Sequence, residues 1–401
     1  MAPDCSEPGK EQLRPILLIA GTRPEAVKLA PLALALRARG AEAQLVATGQ
    51  HRALFGEALA GFGLVPDVDL GVMAGAPEAQ VATLVPLLAD LVRARQPAWV
   101  VVQGDTSSTL AGALAARYAG ARLAHVEAGL RTGSDDPHPE EMHRKLVAQM
   151  AQLHFAPTPA AAAALAAEGV REGVHITGNT GIDALLLMAG RLECDAGLTA
   201  AATAPFAHVP VGRPWLLATI HRRENRARLA GLLGALAELA AAAEILLPVH
   251  PAVAGEVTAI LGEAPGVHLL PSLPHAAFVA LMQRCALVLT DSGGVQEEAP
   301  ALGLPCLVLR GGTERPEGLA SGNAWLVGTE RAAIVAAARA VLGDAVLRAR
   351  MAVPALPYGT GRAARAISDV LLRQAVPSSP QSPESSSRSA AHHRWSPALV
   401  H

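Results

Sequence analysis

The sequence predicts an α/β protein in which two doubly wound, Rossmann-like units follow one another along the chain. Short apolar runs alternate with longer stretches rich in alanine and leucine over almost the whole length. That alternation is typical of parallel strands covered by helices. With 401 residues, of which 51% are hydrophobic and 17% charged, the chain is long and apolar enough for about two domains.

Ten strands are predicted from the short apolar runs. Those of the first unit are expected at residues 16–20, 43–47, 99–102, 123–126 and 174–177. Those of the second unit are expected at residues 215–219, 245–249, 267–270, 287–290 and 306–309. Ligands bind such sheets beyond the carboxyl ends of the strands, so the predicted active site is the cleft between the two units.

The predicted hinge between the units lies near Gly178 and Asn179. The chain then divides into a flexible N-terminus over 1–14, a first Rossmann-like domain over 15–178 and a second over 179–360. From residue 376 the composition changes to VPSSPQSPESSSRSAAHHRW, which offers little apolar surface to bury. Residues 376–401 are therefore expected to be a disordered tail.

The composition excludes several classes of protein. There are 33 Lys and Arg against 35 Asp and Glu, so the net charge of −2 gives no global attraction to nucleic acid or to anionic membranes. Aromatic residues make up only 3%, which argues against a binder of single-stranded nucleic acid. Four cysteines without a CxxC pair predict reduced thiols, at Cys5, Cys194, Cys285 and Cys306.

Neither a signal peptide nor a membrane span is predicted. The N-terminus MAPDCSEPGKEQLRP carries acids and prolines before its first apolar run, and the longest apolar tract, 229–249, is interrupted by Glu238, Glu244 and Pro248. A cytoplasmic protein is expected.

The segment GTRPEAVKLAPL follows the first predicted strand and opens a helix. Gly21 can adopt a positive φ and allow close approach of a ligand, and Pro24 suits a first helical turn. Arg23 and Lys28 add positive charge near the helix N-terminus, a combination that suits a phosphate. The alternative is a solvated basic helix start.

Carboxylates follow the next strands. Asp105, in QGDT, is either an ordinary N-cap or a carboxylate at the mouth of the cleft. Glu127, in HVEAGLRTG, comes directly after an apolar strand, where a purely structural carboxylate is uncommon. Glu140 and Glu141, in HPEEMHRK, are either ordinary first-turn acids or part of the same site.

Three carboxylates from three strand ends of one sheet are expected to converge. Such crowding separates pKa values and suits acid/base chemistry.

The second unit carries residues suited to an anion. His221 stands beside two arginines just past a strand end, which fits an anion clamp, although a single histidine is more often structural. In TDSGGVQEEAP, the turn of Ser292, Gly293 and Gly294 can cradle a diphosphate through its backbone amides. Glu297 or Glu298 could hold ribose hydroxyls, as acids do in dinucleotide folds.

Several motifs are missing from the sequence. It has no G-x-G-x-x-G after the first strand, no G-x-x-x-x-G-K-[ST], no H-E-x-x-H and no paired cysteines. Neither a cofactor nor a bound metal is expected.

Taken together and in order, these motifs resemble the non-hydrolysing UDP-N-acetylglucosamine 2-epimerase family. The resemblance runs over 16–375 and rests on GTRPEAVKLAPL, TGQH, GDT, HVEAGLRTG, PEE, ITGN, HRREN, PVH, TDSGGVQEEAP and TERPEG. It implies a GT-B-like pair of domains, with a last helix over 361–375 that returns to the first, and a homodimer acting in polysaccharide biosynthesis.

The activity that the resemblance implies is the interconversion of UDP-GlcNAc and UDP-ManNAc without a redox cofactor. It proceeds by anti elimination of UDP to a 2-acetamidoglucal, followed by re-addition of UDP. The implied catalytic residues are Asp105, Glu127, Glu140 and His221. The implied substrate-binding residues are Arg23, Lys28, Arg144, Ser292, Gly293, Gly294, Glu298 and Arg315.

The resemblance also implies a second, activating UDP-GlcNAc site. Its residues here are Gln50, His51, Arg222 and His250, with Glu140 shared. Ala53 replaces a polar residue of that site, so weakened activation is expected. His143 stands where the family has Asn, His275 where it has Tyr, the PVHP stretch lacks an Asn, and the loop between Glu127 and Glu140 is short.

Three alternatives stay open at this point. They are a hydrolysing relative that releases UDP and free ManNAc, a GT-B glycosyltransferase, and a silent UDP-sugar binding protein.

Overall fold

Two parallel β-sheets, each buried on both faces, form the computed structural model of this chain. It describes residues 14–49, 52–72, 75–133, 138–220, 222–249, 253–262 and 264–375. The sequence predictions for 1–13 and for the tail 376–401 concern residues outside these ranges.

The first sheet has seven strands in the order β3-β2-β1-β4-β5-β6-β7. Its strands are β1 Ile16–Ala20, β2 Ala43–Ala47, β3 Val68–Asp69, β4 Trp99–Gln103, β5 Leu123–Val126, β6 Leu153–Ala156 and β7 Val174–Ile176. Its helices are α1 Arg23–Arg37, α2 Arg52–Ala60, α3 Pro77–Arg95, α4 Ser107–Tyr118, α5 Glu140–Met150 and α6 Pro159–Ala167.

The second sheet has six strands in the order β10-β9-β8-β11-β12-β13. Its strands are β8 Trp215–Thr219, β9 Glu244–Pro248, β10 Val267–Leu270, β11 Leu287–Thr290, β12 Cys306–Val308 and β13 Ala324–Leu326. The remaining helices are α7 Thr180–Cys194, α8 Ala196–Thr203, α9 Leu229–Leu239, α10 Ala254–Leu261, α11 His275–Met282, α12 Gly293–Ala301, α13 Pro316–Ala320, α14 Arg331–Gly343, α15 Ala345–Met351 and α16 Ala363–Ala375. Short 3-10 helices span Ala204–Phe206 and Arg223–Arg228.

Both sheets have the strand order of the doubly wound, dinucleotide-type fold, so the predicted fold class is confirmed. All ten predicted strands are present, with ends that differ by one residue at β4, β7, β9 and β12. Three strands were not predicted, namely β3, β6 and β13. In each sheet the strand order reverses beside the first strand of the unit, and ligands of such folds bind at that point.

Alternate residues of the central strands enter different cores. In β1, Leu18 packs into a core that also contains residues of the second sheet such as Val288, while Ile19 faces a separate core under α3 and α4. The shared core runs through α1, α7 and α11. The two Rossmann-like domains are therefore joined by continuous apolar packing.

The chain crosses between the domains twice, and the two crossings lie side by side. Gly178 has a φ of 86°, and a Cβ atom there would lie 2.9 Å from the Cα atom of Gly359. The Asn179 amide donates to the carbonyl oxygen of Tyr358 at 2.7 Å. After the second crossing α16 packs on α1, and the Trp99 indole donates to the carbonyl oxygen of Leu371 at 3.2 Å.

Over the part of the chain that the structure describes, no helix combines the length and the hydropathy needed to cross a bilayer.

Candidate active site

The turns that follow β1 and β4 in the first sheet, and β8 and β11 in the second, bring most of the predicted site residues together. These are the two positions where the strand order reverses. Arg23, in the first turn of α1, spans the junction, because its guanidinium donates to the carbonyl oxygen of Leu273 in the second domain at 2.7 Å. The site therefore lies between the domains.

Gly21 is required for close packing and not for its backbone angle. Glycine can adopt a positive φ, but Gly21 does not do so here. A Cβ atom at this position would lie 2.0 Å from Ser108 Oγ and 2.5 Å from Thr48 Oγ1. The turn after β1 is thereby pressed against the start of α4.

A buried carboxylate that sequence reasoning missed joins these two turns. Glu25 accepts hydrogen bonds from the Gly21 and Thr22 amides at 3.0 and 2.7 Å, and from the Thr106 hydroxyl at 2.7 Å. Burial raises the pKa of Glu25, and these hydrogen bonds oppose the shift. The T-R-P-E pattern of a capping box could have revealed the local part of this role, but not the contact with Thr106.

Asp105 is not the N-cap of α4, because Thr106 occupies that position and accepts from the Thr109 amide. The Asp105 carboxylate instead pairs with the Arg144 guanidinium at 2.5 Å. Burial raises the pKa of Asp105, and Arg144 opposes this rise while Glu127 adds to it. Asp105 is thus a carboxylate of the cleft with an increased affinity for a proton.

Glu127 is 9% exposed and has a φ of 66°, in the left-handed region that few non-glycine residues adopt. Lys28 Nζ donates to its Oε2 at 2.5 Å, and the Gln103 amide donates to the same oxygen. Burial alone would raise the pKa of Glu127, but the cations Lys28 and Arg315 hold it below the usual range. Backbone strain of this kind is concentrated at functional sites, which motivates a functional assignment.

Glu140 and Glu141 open α5, as the sequence predicted, but they do not follow a third strand end. The expectation of three carboxylates from three strand ends was therefore wrong: two come from adjacent strands and the others from the helix that follows β5. Glu141 is buried and accepts from the Arg144 guanidinium at 2.8 Å. Glu140 lies one turn before Arg144, on the same face of the helix.

The turn after β11 forms the opposite side of the site. Ser292 is the N-cap of α12, and its amide donates to Thr290 Oγ1 at 2.9 Å. A Cβ atom on Gly293 would lie 2.5 Å from the Arg315 guanidinium, so only glycine allows this arginine to cover the helix start. Gly294 follows in the first turn. Backbone amides and a guanidinium at one helix N-terminus are the elements of a phosphate site.

An ion-pair network surrounds Arg315. Its Nε donates to Glu297 at 2.6 Å, and its terminal nitrogen donates to Glu314 at 2.5 Å. Burial alone would raise the pKa of Glu314. The arginines Arg315, Arg310 and Arg222 instead lower it to about 2. Arg222, expected at the effector site, donates to Glu314 at 3.0 Å.

Of the two glutamates considered for ribose binding, Glu297 is already occupied. Besides Arg315, it accepts from the Asn179 side chain at 2.6 Å. Glu298, the next residue, is partly exposed, and burial together with Glu297 raises its pKa to about 7. This leaves Glu298 as the candidate for a ligand contact.

Four predicted site residues lie outside the residues described, namely Gln50, His51, His221 and His250.

The arrangement combines two chemical capacities. Glu127, with a lowered pKa, and Asp105, with a raised pKa, stand after adjacent strands, so the two carboxylates bind a proton with different affinities, as acid/base chemistry requires. The helix start at Gly293, covered by Arg315, is suited to hold an anion on the other side.

Two Rossmann-like domains, each built on a parallel sheet, with buried carboxylates at the junction between them, define a GT-B-like protein. The sequence profile described as UDP-N-acetylglucosamine 2-epimerase matches residues 34–372. The chain belongs to the UDP-N-acetylglucosamine 2-epimerase family.

Two curated relatives illustrate the likeness. The chain is 40% identical over 367 residues to a probable UDP-N-acetylglucosamine 2-epimerase of Ralstonia solanacearum, covering 88% of this chain and 98% of the relative. It is 40% identical over 371 residues to the UDP-N-acetylglucosamine 2-epimerase of Escherichia coli K12, covering 89% and 98%.

Solved structures agree with this. The UDP-GlcNAc 2-epimerase of Neisseria meningitidis, bound to UDP-GlcNAc, superposes with a TM-score of 0.85 at 35% identity, covering 90% of this chain and 100% of that one. The enzyme of Methanocaldococcus jannaschii, in complex with UDP-GlcNAc and UDP, has a TM-score of 0.77 at 31% identity, covering 90% and 99%.

Proposed function

We propose that this chain interconverts UDP-GlcNAc and UDP-ManNAc at C2 by the non-hydrolysing route. The observation that carries the proposal is the pair of carboxylates with opposite pKa shifts, Asp105 and Glu127, beside an anion-binding helix start at Gly293. The choice of substrate rests on family membership and on the relatives whose structures contain UDP-GlcNAc or UDP.

The reaction requires both halves of this site. The C2 proton is not acidified by a neighbouring carbonyl, so its removal has to be coupled to departure of a stabilised diphosphate. A carboxylate takes the proton from C2 while the bond between C1 and the diphosphate oxygen breaks, which leaves a 2-acetamidoglucal and UDP. Re-addition of UDP, with a proton delivered to the other face of C2, gives the epimer.

The roles follow from the family resemblance and fit the contacts described. Asp105, Glu127 and Glu140 handle protons, and the resemblance adds His221 as a fourth catalytic residue. Ser292, Gly293, Gly294 and Arg315 bind the diphosphate, Glu298 contacts the ribose, and Arg23, Lys28 and Arg144 complete the substrate site. Lys28 and Arg144 already hold Glu127 and Asp105, so in the proposal they also fix the charge state of these two carboxylates.

The proposal extends to assembly and location by the same resemblance, with a homodimer and a cytoplasmic enzyme. No cofactor takes part. Size-exclusion chromatography with light scattering measures the assembly, and a monomer at catalytic concentrations would contradict that part.

The test is incubation with UDP-GlcNAc in deuterated water, followed by NMR and mass analysis of the products. We expect a mixture of UDP-GlcNAc and UDP-ManNAc with deuterium at C2, independent of added nicotinamide cofactor. Release of UDP and free ManNAc would establish the hydrolysing alternative. Epimerisation without label would contradict the elimination.

The carboxylates are tested by isosteric substitution. Asp105→Asn, Glu127→Gln and Glu140→Gln should each lower turnover at least about a hundredfold, the usual scale for a general acid or base. Asp90→Asn, at a mostly exposed carboxylate on α3, is the matched control and should change nothing. Near-normal turnover in all three site variants would remove the basis of the assignment.

A further inference from the structure

Two histidines hold the backbone on either side of the Asp105 side chain. His125 Nε2 lies 2.8 Å from the carbonyl oxygen of Gly104, and His143 Nδ1 lies 2.8 Å from the carbonyl oxygen of Asp105 itself. A carbonyl oxygen only accepts, so each imidazole nitrogen has to donate. Two successive carbonyls of one turn are thus each bound by a ring N–H.

Both rings are enclosed, which fixes their orientation. His125 is 0% and His143 2% exposed. Burial lowers the pKa of His125 to about 4, so its ring is neutral at pH 7 and the single N–H is the one directed at Gly104. Such donors in a packed environment hold a turn more firmly than a solvated contact would.

The position of Gly104 explains why the turn has to be held. Its amide still bonds to the carbonyl oxygen of Val126 in the sheet, but its φ of 74° turns the chain out of the sheet towards Asp105. Without a donor at the Gly104 carbonyl, a partly buried acceptor would lose its partner and the turn could rotate.

His143 also connects two groups of the site. It follows Glu140 and Glu141 on α5, and its neighbour Arg144 binds the Asp105 carboxylate at 2.5 Å. Consecutive residues of one helix therefore hold both the backbone and the side chain of Asp105. This fixes the backbone and the side chain of Asp105 against the same helix.

We propose that His125 and His143 are positioning residues that aim the Asp105 carboxylate by binding the carbonyls of Gly104 and Asp105. The inference rests on the proposed function, in which Asp105 handles a proton. A misplacement of a catalytic group by about 1 Å can lower the rate about a hundredfold.

The test exploits the difference between the two ring nitrogens. The side-chain amide nitrogen of Asn can occupy the place of Nδ1, and that of Gln can occupy the place of Nε2. At position 143, His143→Asn should therefore keep kcat within about threefold of the unmodified chain, while His143→Gln lowers it about tenfold. At position 125 the order should reverse, with His125→Gln active and His125→Asn about tenfold lower, a loss equal to one hydrogen bond.

KM should change less than about twofold in all four variants, since the turn positions a reacting group. A role in volume or polarity alone would give the same ranking of Asn and Gln at both positions, and that result would overturn the inference. Unchanged kcat in both His143→Gln and His125→Asn would overturn it as well.

A double-substitution cycle separates this inference from the proposed function. In an Asp105→Asn background, adding His143→Gln should change the residual kcat less than about twofold, because no carboxylate remains to be aimed. A further tenfold loss would show that His143 acts independently of Asp105 and would refute the positioning role. Full activity of Asp105→Asn alone would instead contradict the proposed function.

Discussion

At the scale of single residues, the ion pair between Lys28 and Glu127 determines the charge of a buried carboxylate. The Lys28 ammonium lies 2.5 Å from Glu127 Oε2 and is a main reason why the pKa of Glu127 is low despite burial. The two residues are far apart in sequence and meet because α1, which follows β1, and the turn after β5 lie at the same edge of the sheet.

Lys28→Met should raise the pKa of Glu127, since burial then acts without this cation. A base works only above its pKa, so the acidic limb of the kcat/KM profile should move to higher pH by about 1–3 units. Lys28→Arg is the control, because it retains the charge and should leave the limb close to its original position. A limb at unchanged pH in Lys28→Met would contradict the proton-accepting role of Glu127.

Glu298 gives a prediction for stability. Its pKa in the folded chain is about 7, against 4.5 for an unperturbed glutamate, so the folded state binds the proton more tightly. The resulting stabilisation is present below pH 4.5 and is lost as the pH rises towards 7.

Glu298→Gln removes this titration. At pH 8 the variant should be more stable than the unmodified chain, with a free energy of unfolding higher by about 1–3 kcal/mol, and the difference should shrink as the pH approaches 5. Urea unfolding at several pH values measures it. A difference independent of pH would show that Glu298 is not the group that titrates.

At the scale of elements, α16 is held by a side chain of another helix. Asp183 in α7 accepts from the Ala363 and Ala364 amides at 3.2 and 2.8 Å, which satisfies the first free amides of α16. The contact joins α7, which follows the first crossing between the domains, to α16, which follows the second crossing.

Asp183→Ala should lower the free energy of unfolding by about 1–2 kcal/mol, the usual cost of removing a helix cap. Asp183→Asn retains an acceptor oxygen and should lose clearly less. Chemical denaturation measures both. Equal losses in the two variants would show that the charge, and not the hydrogen bonds, holds the helix.

The strands that sequence reasoning found and missed differ in a physical way. A run such as β1 is wholly apolar, because both faces of a parallel sheet are buried. β3 has only two residues, too few for a pattern, and β6 contains the buried polar residue His154.

The site was predictable where a motif follows directly after a strand, as at Asp105, Glu127 and Gly293. Glu25, His125 and His143 were missed as members of the site because their roles depend on long-range contacts. Glu25, for instance, meets Thr106 across 81 positions of sequence. Local periodicity contains no information on such pairs. For the same reason, the sequence could not show that Gly21 is needed for close packing and not for its backbone angle.

At the scale of the whole molecule, the apolar core continues from one domain to the other and α16 closes it on the first domain. A chain that ends at residue 362 loses α16, whose buried residues include Ile367 and Leu371. A chain that ends at residue 375 keeps this helix and removes only the Ser/Pro-rich tail.

The shorter chain should melt at least about 10 °C lower, because several buried apolar side chains lose their packing. The longer one should match the full chain in melting temperature and turnover. Thermal melts of the matched pair measure this. A full chain that is much more stable than the chain ending at 375 would show that the tail contributes to the fold.

The return of α16 also determines when the first domain can be completed during synthesis. Trp99 and the carbonyl of Leu371 that its indole binds are 272 positions apart. At about 5–20 residues per second, roughly 15 to 55 s of translation separate them. Throughout that interval the face of α1 that receives α16 is uncovered, so the nascent chain exposes apolar surface of the kind that chaperones bind. The domain that leaves the ribosome first is thus the one that is finished last.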